Sequence, residues 1–173
     1  NPWAEDPYFD PQTRTLVKNL SPQELESAFF TELKFGTGGL RGVMGVGSAR
    51  MNIYTIRKAT QGLATYLKKH TDPSKGVVIG FDSRHNSELF ARETARVLVG
   101  NQIRVYLCPT LRPTPFISFA CRYLSAAAAV MITASHNPKE YNGYKVYWND
   151  GAQIVSPHDT GIIEEIEKIP SYS

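Results

Sequence analysis

The sequence has few cysteines, no long apolar run and almost no excess charge. Cys108 and Cys121 match no CxxC or zinc-type spacing, so we expect two free, partly buried thiols. Free thiols are typical of a reducing compartment, which makes the cytoplasm the default location. No apolar run approaches the roughly 18 residues of a membrane span and no signal peptide is visible, so no membrane contact is expected. A net charge of +3 is too small to indicate nucleic-acid binding, although it suits phosphorylated ligands.

Several catalytic motifs are also missing. There is no Gly-x-Ser-x-Gly elbow, which weakens a hydrolase interpretation. The glycine-rich segment 35–42 lacks the Gly-Lys-Ser/Thr of a Walker A loop, and Arg41 stands where a dinucleotide fingerprint has its third glycine. The aspartates form no carboxylate run of the kind that magnesium prefers, so any magnesium site is expected to be incomplete in this chain. These aspartates are Asp6, Asp10, Asp72, Asp82, Asp150 and Asp159.

What remains is the composition of an ordinary globular domain. The 173 residues fit one domain, or one with a short extension, and 42% are apolar and 20% charged. The chain does not begin with Met, which suggests a piece of a longer protein. We expect residues 1–10, rich in prolines, aromatics and acids, to form a surface arm. The predicted division is an N-terminal arm and helix over 1–34 and a domain over 35–173.

Helix and strand signals alternate along the chain. Ser21 as N-cap, Pro22 at the first helical position and Glu24 closing a capping box predict a helix that runs to about Leu33. The other predicted helices cover residues 52–70, 87–100, 113–124 and 156–169. The predicted strands cover residues 43–46, 77–81, 103–107, 126–132 and 143–148.

This alternation predicts an α/β fold, a three-layer α/β/α sandwich with a mixed, mainly parallel sheet. The link of residues 133–142 between the last two strands is too short for a helical crossover, so that pair is expected to be antiparallel. In such sheets, ligands meet the loops at the carboxyl ends of the strands. The loop after Ile132 is therefore a candidate site.

That loop holds a serine that could serve as a nucleophile. Ser135 follows a predicted buried strand, so its hydroxyl is expected at the edge of the sheet, with His136 beside it. Lys145, ten residues further along on the return strand, would come back beside Ser135 in a hairpin, where it could act as a base or hold a phosphate. The alternative is an ordinary polar turn that ends in Asn137-Pro138. On these residues alone, both interpretations stay open.

The glycine-rich segment is a second candidate anion site. Gly36, Gly38 and Gly39 would let the backbone approach an anion, and Arg41 could grip a phosphate with two hydrogen bonds. The alternative is a tight turn with a solvated arginine. A second arginine-bearing segment, Asp82-Ser83-Arg84, ends a predicted strand at the ligand-side edge. Its arginine either supports the site or forms a structural salt link.

Three segments of the chain, taken together, carry a family resemblance. Thr133-Ala134-Ser135-His136-Asn137-Pro138, Asn142–Tyr147 and Phe35–Gly42 resemble three parts of one superfamily. These are the phosphoserine loop, the following strand and the first arginine-bearing loop of the α-D-phosphohexomutases, the phosphoglucomutase/phosphomannomutase superfamily. With Gly151-Ala152-Gln153-Ile154 included, the chain looks most similar to the branch that contains phosphoglucomutase-2 and phosphopentomutase. The resemblance covers nearly the whole chain.

The resemblance implies a role for each matching residue. Ser135 would be the phosphoserine, whose phosphate also supplies one ligand to Mg²⁺, and Lys145 would be the general acid/base. Arg41 and His136 would contact the phosphoryl group or the bisphosphate intermediate. The expected catalytic set is Ser135, His136 and Lys145, and the expected phosphate-binding set is Arg41, Thr133, Ser135 and Asn137.

The implied enzyme is an intramolecular phosphotransferase, an isomerase that interconverts sugar 1-phosphate and sugar 6-phosphate, or 5-phosphate for pentoses. Phospho-Ser135 would give its phosphoryl group to a sugar phosphate, and the resulting bisphosphate, such as glucose 1,6-bisphosphate, would reorient and return its other phosphate. Family members have four domains around one cleft, and this chain looks like the first. The remaining magnesium ligands and the sugar-reading loops would lie in the other three. The expected partners are therefore a sugar phosphate and the rest of the polypeptide, and the isolated segment is expected to be inactive.

Overall fold

Seven α-helices and five strands make up the computed structural model, which describes residues 1–173. No helix combines the length and the apolar character needed to cross a membrane. The strands are β1 (Gly39–Val43), β2 (Val77–Phe81), β3 (Val105–Leu107), β4 (Ala128–Ile132) and β5 (Tyr141–Trp148). The helices are α1 (Pro2–Glu5), α2 (Pro11–Lys18), α3 (Pro22–Phe29), α4 (Ile53–His70), α5 (Ser87–Gly100), α6 (Thr114–Tyr123) and α7 (His158–Glu167). One turn of 3₁₀ helix, Pro73–Lys75, precedes β2.

The five strands form one sheet in the order β1-β5-β4-β2-β3. β2 runs parallel to both β3 and β4, whereas β5 runs antiparallel to both of its neighbours, β4 and β1. β1 to β4 therefore all point the same way and β5 alone is reversed. The prediction of a mixed, mainly parallel sheet is confirmed, and so is the antiparallel return after the short link.

The sheet is covered on both faces, but unequally. Helices α4, α5 and α7 lie on one side, over a core that includes Ile79 and Tyr144. On the other side, α6 is the helix that packs against the sheet. Its Ile117 belongs to a smaller hydrophobic core that also includes Tyr147. Because side chains of a strand alternate between faces, Lys145 points to the α6 side, like Tyr147. Its amino group therefore reaches the less covered face of the sheet.

Residues 1–10 are not the surface arm that their composition suggested. Trp3 and Phe9 are buried, and their rings stack with centroids 4.5 Å apart. Trp3 also meets the ring of Tyr54 of α4 edge to face, at 5.3 Å. The prolines and acids of this stretch predicted exposure, but burial of two large aromatic rings outweighs them. The helix that follows, α2, was not predicted, although Asp10 caps it and Pro11 opens it.

Other boundaries also differ from the prediction. The capping box of α3 is confirmed, because Ser21 and Glu24 each accept from the other's backbone N–H, but the helix ends at Phe29 instead of near Leu33. β1 lies at Gly39–Val43 instead of 43–46, and β3 and β4 each begin two residues later than predicted. The predicted bounds of β2 and α5 are confirmed. The shift of β1 brings Arg41 out of a loop and onto a strand.

Candidate active site

Ser135 lies three residues beyond the end of β4, in the loop that turns back into β5. Its backbone has a φ of 53°, in the left-handed region that few residues with a side chain adopt. Two hydrogen bonds close the turn locally. Thr133 Oγ1 accepts from the Ser135 N–H at 3.0 Å, and the Ala134 carbonyl accepts from the Asn137 N–H at 3.0 Å. The result is an exposed serine at the carboxyl end of a buried strand.

Lys145 lies in the middle of β5, opposite Met131 of β4 and Gly39 of β1. Its Nζ donates a hydrogen bond to Ser135 Oγ at 2.6 Å. Burial lowers the pKa of the Lys145 ammonium below its ordinary value, and the nearby Arg41 charge lowers it further, whereas Asp82 acts in the opposite direction. A lysine with a lowered pKa in contact with a serine oxygen can move a proton to or from that oxygen.

Arg41 lies on β1 directly opposite Gly143 of β5. Its side chain is exposed, and it makes no hydrogen bond or ion pair within the chain. β1 can approach β5 this closely because residue 39 is glycine: a Cβ there would lie 1.8 Å from the Tyr144 carbonyl oxygen. A concave pocket of about 140 Å³ results, and its lining includes both cations and no acid. Such a surface favours an anion. The lining consists of Thr37, Gly38, Gly39, Leu40, Arg41, Lys145 and Gln153.

A larger, open cavity of about 630 Å³ is lined by Ser135 itself and by the loop after β2. Asp82, Arg84 and His85 contribute from that loop, and Lys139 from the segment before β5. Lys145 lines the smaller pocket and Ser135 the larger cavity, and the hydrogen bond between them joins the two linings. A small ligand can therefore reach the serine oxygen.

Arg84, whose role the sequence left undecided, binds the backbone of the serine loop. Its Nη1 and Nη2 donate four hydrogen bonds to carbonyl oxygens at 2.6 to 3.2 Å. Its Nε lies 3.6 Å from the Asp82 carboxylate, so the predicted salt link is also present. No local sequence signal could show the carbonyl contacts, because the acceptors lie more than 50 residues away. The acceptors belong to Ser135, Asn137, Pro138 and Tyr141.

Asn142 is a second residue whose contribution was not evident from the sequence. It is fully buried, and its Nδ2 donates to the His85 carbonyl at 3.1 Å and to Ser87 Oγ at 3.0 Å. The Ser87 hydroxyl in turn donates to the Asp82 carboxylate at 2.7 Å. A buried amide with satisfied hydrogen bonds fixes its neighbours. This network joins the loop after β2 to the first residues of β5.

The remaining predicted site residues lie in the same loop. Thr133 is buried and supplies the acceptor for the Ser135 N–H, and Asn137 gives its carbonyl to Arg84. His136 is exposed, and its ring makes no hydrogen bond. The structure therefore brings Ser135 and Lys145 into contact, while the role of His136 stays a prediction.

The chain contains no group of three or more His, Cys, Asp or Glu side chains placed to bind a metal ion. Asp82 lines the same cavity as Ser135, but it already accepts from the Arg84 N–H and from the Ser87 hydroxyl. The oxygen atoms that the chain offers around Ser135 are therefore too few to bind a magnesium ion by themselves. Further oxygen ligands at this point would have to come from a group attached to Ser135 or from outside the chain.

Comparison with known proteins finds the same domain elsewhere. The sequence model of the family described as "Phosphoglucomutase/phosphomannomutase, alpha/beta/alpha domain I" matches residues 32–173. The chain is 44% identical to phosphopentomutase and 43% identical to glucose 1,6-bisphosphate synthase of Mus musculus, over 96% of its length in both cases. It is 48% identical to a phosphoglucomutase of Staphylococcus haemolyticus over 85% of its length. The chain spans 28%, 28% and 25% of the length of these relatives.

Solved structures contain the same arrangement of helices and strands. A crystal structure from Thermus thermophilus, described as a phosphomannomutase, matches with a TM-score of 0.71 and 33% identity, over 79% of this chain and 30% of that one. A phosphoglucomutase/phosphomannomutase family protein from Burkholderia thailandensis matches with a TM-score of 0.64 and 25% identity, over 77% and 29%. The predicted α/β fold is confirmed by these matches.

Proposed function

Because the chain belongs to the phosphoglucomutase/phosphomannomutase family, as its α/β/α domain I, we propose that the full-length protein is an intramolecular phosphotransferase acting on sugar phosphates. It interconverts sugar 1-phosphate and sugar 6-phosphate, or 5-phosphate where the sugar is a pentose. The names of two relatives, phosphopentomutase and phosphoglucomutase, favour this class of reaction. The present chain would be the part that carries the phosphoryl group.

The observation that carries the proposal is the contact between Ser135 and Lys145. The serine oxygen is accessible, and a lysine nitrogen lies 2.6 Å from it. The lowered pKa of Lys145 makes a proton exchange with that oxygen easier near neutral pH. The left-handed backbone at Ser135 is the kind of unusual conformation that persists where the surrounding structure enforces it, often at functional sites.

The proposed reaction consists of two phosphoryl transfers. In the first, a hydroxyl of the sugar phosphate attacks the phosphorus of phospho-Ser135, and the bond from phosphorus to Ser135 Oγ breaks. Lys145 gives a proton to Oγ as this bond breaks, since it is the side chain hydrogen-bonded to Oγ. The proton of the attacking hydroxyl passes to a base in another part of the full-length protein. In the second transfer, Oγ attacks the other phosphate of the sugar bisphosphate and returns its proton to Lys145. The bond from that phosphorus to its sugar oxygen breaks, and the sugar oxygen takes the proton held by the base in the other part of the full-length protein.

The groups around the serine would hold the transferred phosphoryl group. Arg41 has a free guanidinium on the same face of the sheet as Lys145, and the pocket between them has no acidic lining. Charge-assisted hydrogen bonds from an arginine and a lysine are strong contacts for a phosphate dianion. We assign His136, Thr133 and Asn137 to the same loop site, in which the exposed His136 directly follows Ser135 in the sequence.

We infer that the reaction also uses Mg²⁺ and a sugar bisphosphate. The phosphate of phospho-Ser135 would be the one ligand from this chain, because its carboxylates form no metal-binding group. When bound, the ion would neutralise charge on the transferred phosphoryl group. The bisphosphate, glucose 1,6-bisphosphate or its analogue, is the intermediate of the two transfers. The name of one relative, glucose 1,6-bisphosphate synthase, is in line with this inference.

We further propose that residues 35–173 form the first of four domains and that residues 1–34 are its N-terminal extension. The chain spans only 28% of the phosphopentomutase it matches, which supports the presence of further domains in the full-length protein. Those domains would supply the other magnesium ligands and the loops that bind the sugar. The isolated segment would then bind phosphate without catalysing the isomerisation.

The experiment that tests the proposal uses the full-length protein. Intact-mass measurement should find one stable phosphate, and Ser135→Ala should lose both this phosphate and the mutase activity. Ser83→Ala is a matched control, because Ser83 lines the same cavity but makes no hydrogen bond with Lys145. If Ser135→Ala keeps full activity without carrying any phosphate, then the residues 1–173 are instead a non-catalytic phosphate-binding module of the full-length protein. Turnover of glucose 1-phosphate by residues 1–173 alone would show that the proposed domain division is wrong.

A further inference from the structure

The guanidinium of Arg84 is bound to the loop that carries Ser135. Nη2 donates to the carbonyl of Ser135 at 2.8 Å and to that of Asn137 at 2.6 Å. Nη1 donates to the carbonyls of Pro138 at 2.8 Å and Tyr141 at 3.2 Å. One side chain therefore holds the loop from the serine to the first residue of β5.

The alternative explanation is that Arg84 serves mainly as an ion-pair partner of Asp82. The distance from Nε to the Asp82 carboxylate is 3.6 Å, which is longer than every one of the four contacts with loop carbonyls. Both partners are largely buried, with 16% and 24% of their side chains exposed. Asp82 also accepts from the Arg84 N–H and from the Ser87 hydroxyl, so it fixes the backbone from which Arg84 extends. Asp82 therefore orients Arg84, and Arg84 orients the loop.

The planar guanidinium suits this task better than a lysine ammonium. Its five N–H groups lie in a fixed fork, whereas an ammonium is a point charge on a flexible stem. Four carbonyl oxygens in one loop would otherwise present their negative ends near the position of the phosphate. Because all four accept hydrogen bonds from the Arg84 guanidinium, the partial negative charge of these oxygens is offset by a cation.

We propose that Arg84 is a positioning residue for phosphoryl transfer. It holds residues 135–141 in the conformation that places Ser135 Oγ within 2.6 Å of Lys145 Nζ, and it offsets the partial negative charge of the loop carbonyls. This inference rests on the proposed function, because it assigns a task to Arg84 only if Ser135 carries the phosphate. Arg84 itself makes no hydrogen bond with Ser135 Oγ or with Lys145.

The test compares Arg84→Ala and Arg84→Lys with Arg92→Ala in the full-length protein. Arg92 is the matched control, since it lies on α5 and pairs with the exposed Glu88, away from the loop. A displacement of about 1 Å in a reacting group can lower the rate about 100-fold. We expect Arg84→Ala to lower the turnover number by about this factor, with the KM for sugar phosphate changed less than about threefold. Arg84→Lys should lie between the alanine variant and the wild type, and Arg92→Ala should match the wild type.

A second readout separates positioning from folding. Guanidinium ions, added at concentrations too low to unfold the protein, should restore part of the activity of Arg84→Ala, because they can occupy the space of the missing fork. They should not help Arg92→Ala or Ser135→Ala. If Arg84→Ala does not fold, Arg84→Lys alone decides: a loss of turnover at unchanged KM and melting temperature supports the inference, and a wild-type turnover number overturns it.

Failure of this inference and failure of the proposed function are distinguishable. An active Ser135→Ala variant would overturn the proposed function, whatever Arg84 does. An inactive Ser135→Ala variant together with a fully active Arg84→Ala variant would overturn only the role of Arg84. The same holds if Arg84→Ala raises the KM and leaves the turnover number unchanged, because a positioning role predicts the opposite split.

Discussion

Replacement of Lys145 is expected to slow phosphoryl transfer much more than it weakens substrate binding. The lysine nitrogen contacts the serine oxygen directly, at 2.6 Å, so no water is needed between the two. A side chain that moves a proton in the transition state contributes about 100- to 10,000-fold to the rate. At 1.36 kcal/mol for each factor of ten, the barrier for Lys145→Met should rise by about 3 to 5 kcal/mol.

Lys145→Arg separates the charge of this residue from its proton. An arginine keeps the positive charge beside the phosphate but does not release a proton in the physiological range. We therefore expect Lys145→Arg to retain phosphate binding and still to lose most of the turnover. In the first transfer Lys145 must be protonated, so the wild-type rate should fall as the pH rises through the pKa of Lys145. That alkaline decline should be missing in Lys145→Arg.

The assay is a single-turnover measurement of phosphoryl transfer between the full-length enzyme and a sugar phosphate, followed at several pH values. Lys139→Ala is the control, because Lys139 lines the cavity next to Ser135 but makes no hydrogen bond with it. A Lys145→Met variant that transfers phosphate at more than a tenth of the wild-type rate would refute the acid/base role. A large rise in KM with an unchanged turnover number would refute it as well, since the lysine would then only bind the phosphate.

Two further predictions concern the N-terminal residues and are measured by denaturant-induced unfolding. Trp3→Ala removes a buried ring that packs against Phe9 and Tyr54, and it should lower the free energy of unfolding by about 3 to 5 kcal/mol. A loss below about 1 kcal/mol would mean that residues 1–10 do not stabilise the domain. Asp10→Ala removes the N-cap of α2 and should cost about 1 to 2 kcal/mol at pH 7. Burial tends to raise the pKa of the Asp10 carboxyl, but hydrogen bonds from Thr13 and Tyr54 prevail and hold this pKa below its ordinary 3.8. The contribution of the carboxylate is therefore complete above pH 3.8 and is lost as the pH falls through the lower folded value, so a variant whose deficit is the same at pH 7 and at pH 2 would contradict this account.

Local signals were sufficient to predict the elements that lead to the site. β2 and α5 have their predicted bounds, because the apolar β-branched run 77–81 follows a turn and the helix 87–100 ends on a glycine. The antiparallel β4–β5 return followed from the length of the link alone, and that return was enough to predict Lys145 beside Ser135. Both residues of the proposed reacting pair belong to one hairpin, and short-range reasoning is strong for hairpins.

The errors arose where distant parts of the chain meet. β1 was placed too late because three of the residues 36–39 are glycines and predict a loop, whereas Gly39 in fact pairs with Lys145 and lies close to the Tyr144 carbonyl. The burial of Trp3 depends on α4, about fifty residues later, and no local pattern shows that contact. The carbonyl contacts of Arg84 depend in the same way on a loop that only the complete fold brings near.

The β4–β5 hairpin has a consequence for how sugar preference can change. Ser135 and Lys145 lie ten residues apart in the hairpin and contact each other, and Arg84 binds the loop between them, so all three residues belong to this one chain. None of these contacts requires a particular sugar ring, because they involve only the serine oxygen, an ammonium group and loop carbonyls. Under the proposed function, mutations in the sugar-binding parts of the full-length protein would therefore alter the substrate without disturbing the phosphate carrier. We expect descendants of one ancestral enzyme to have diversified in the sugars they accept while they inherited this hairpin almost unchanged.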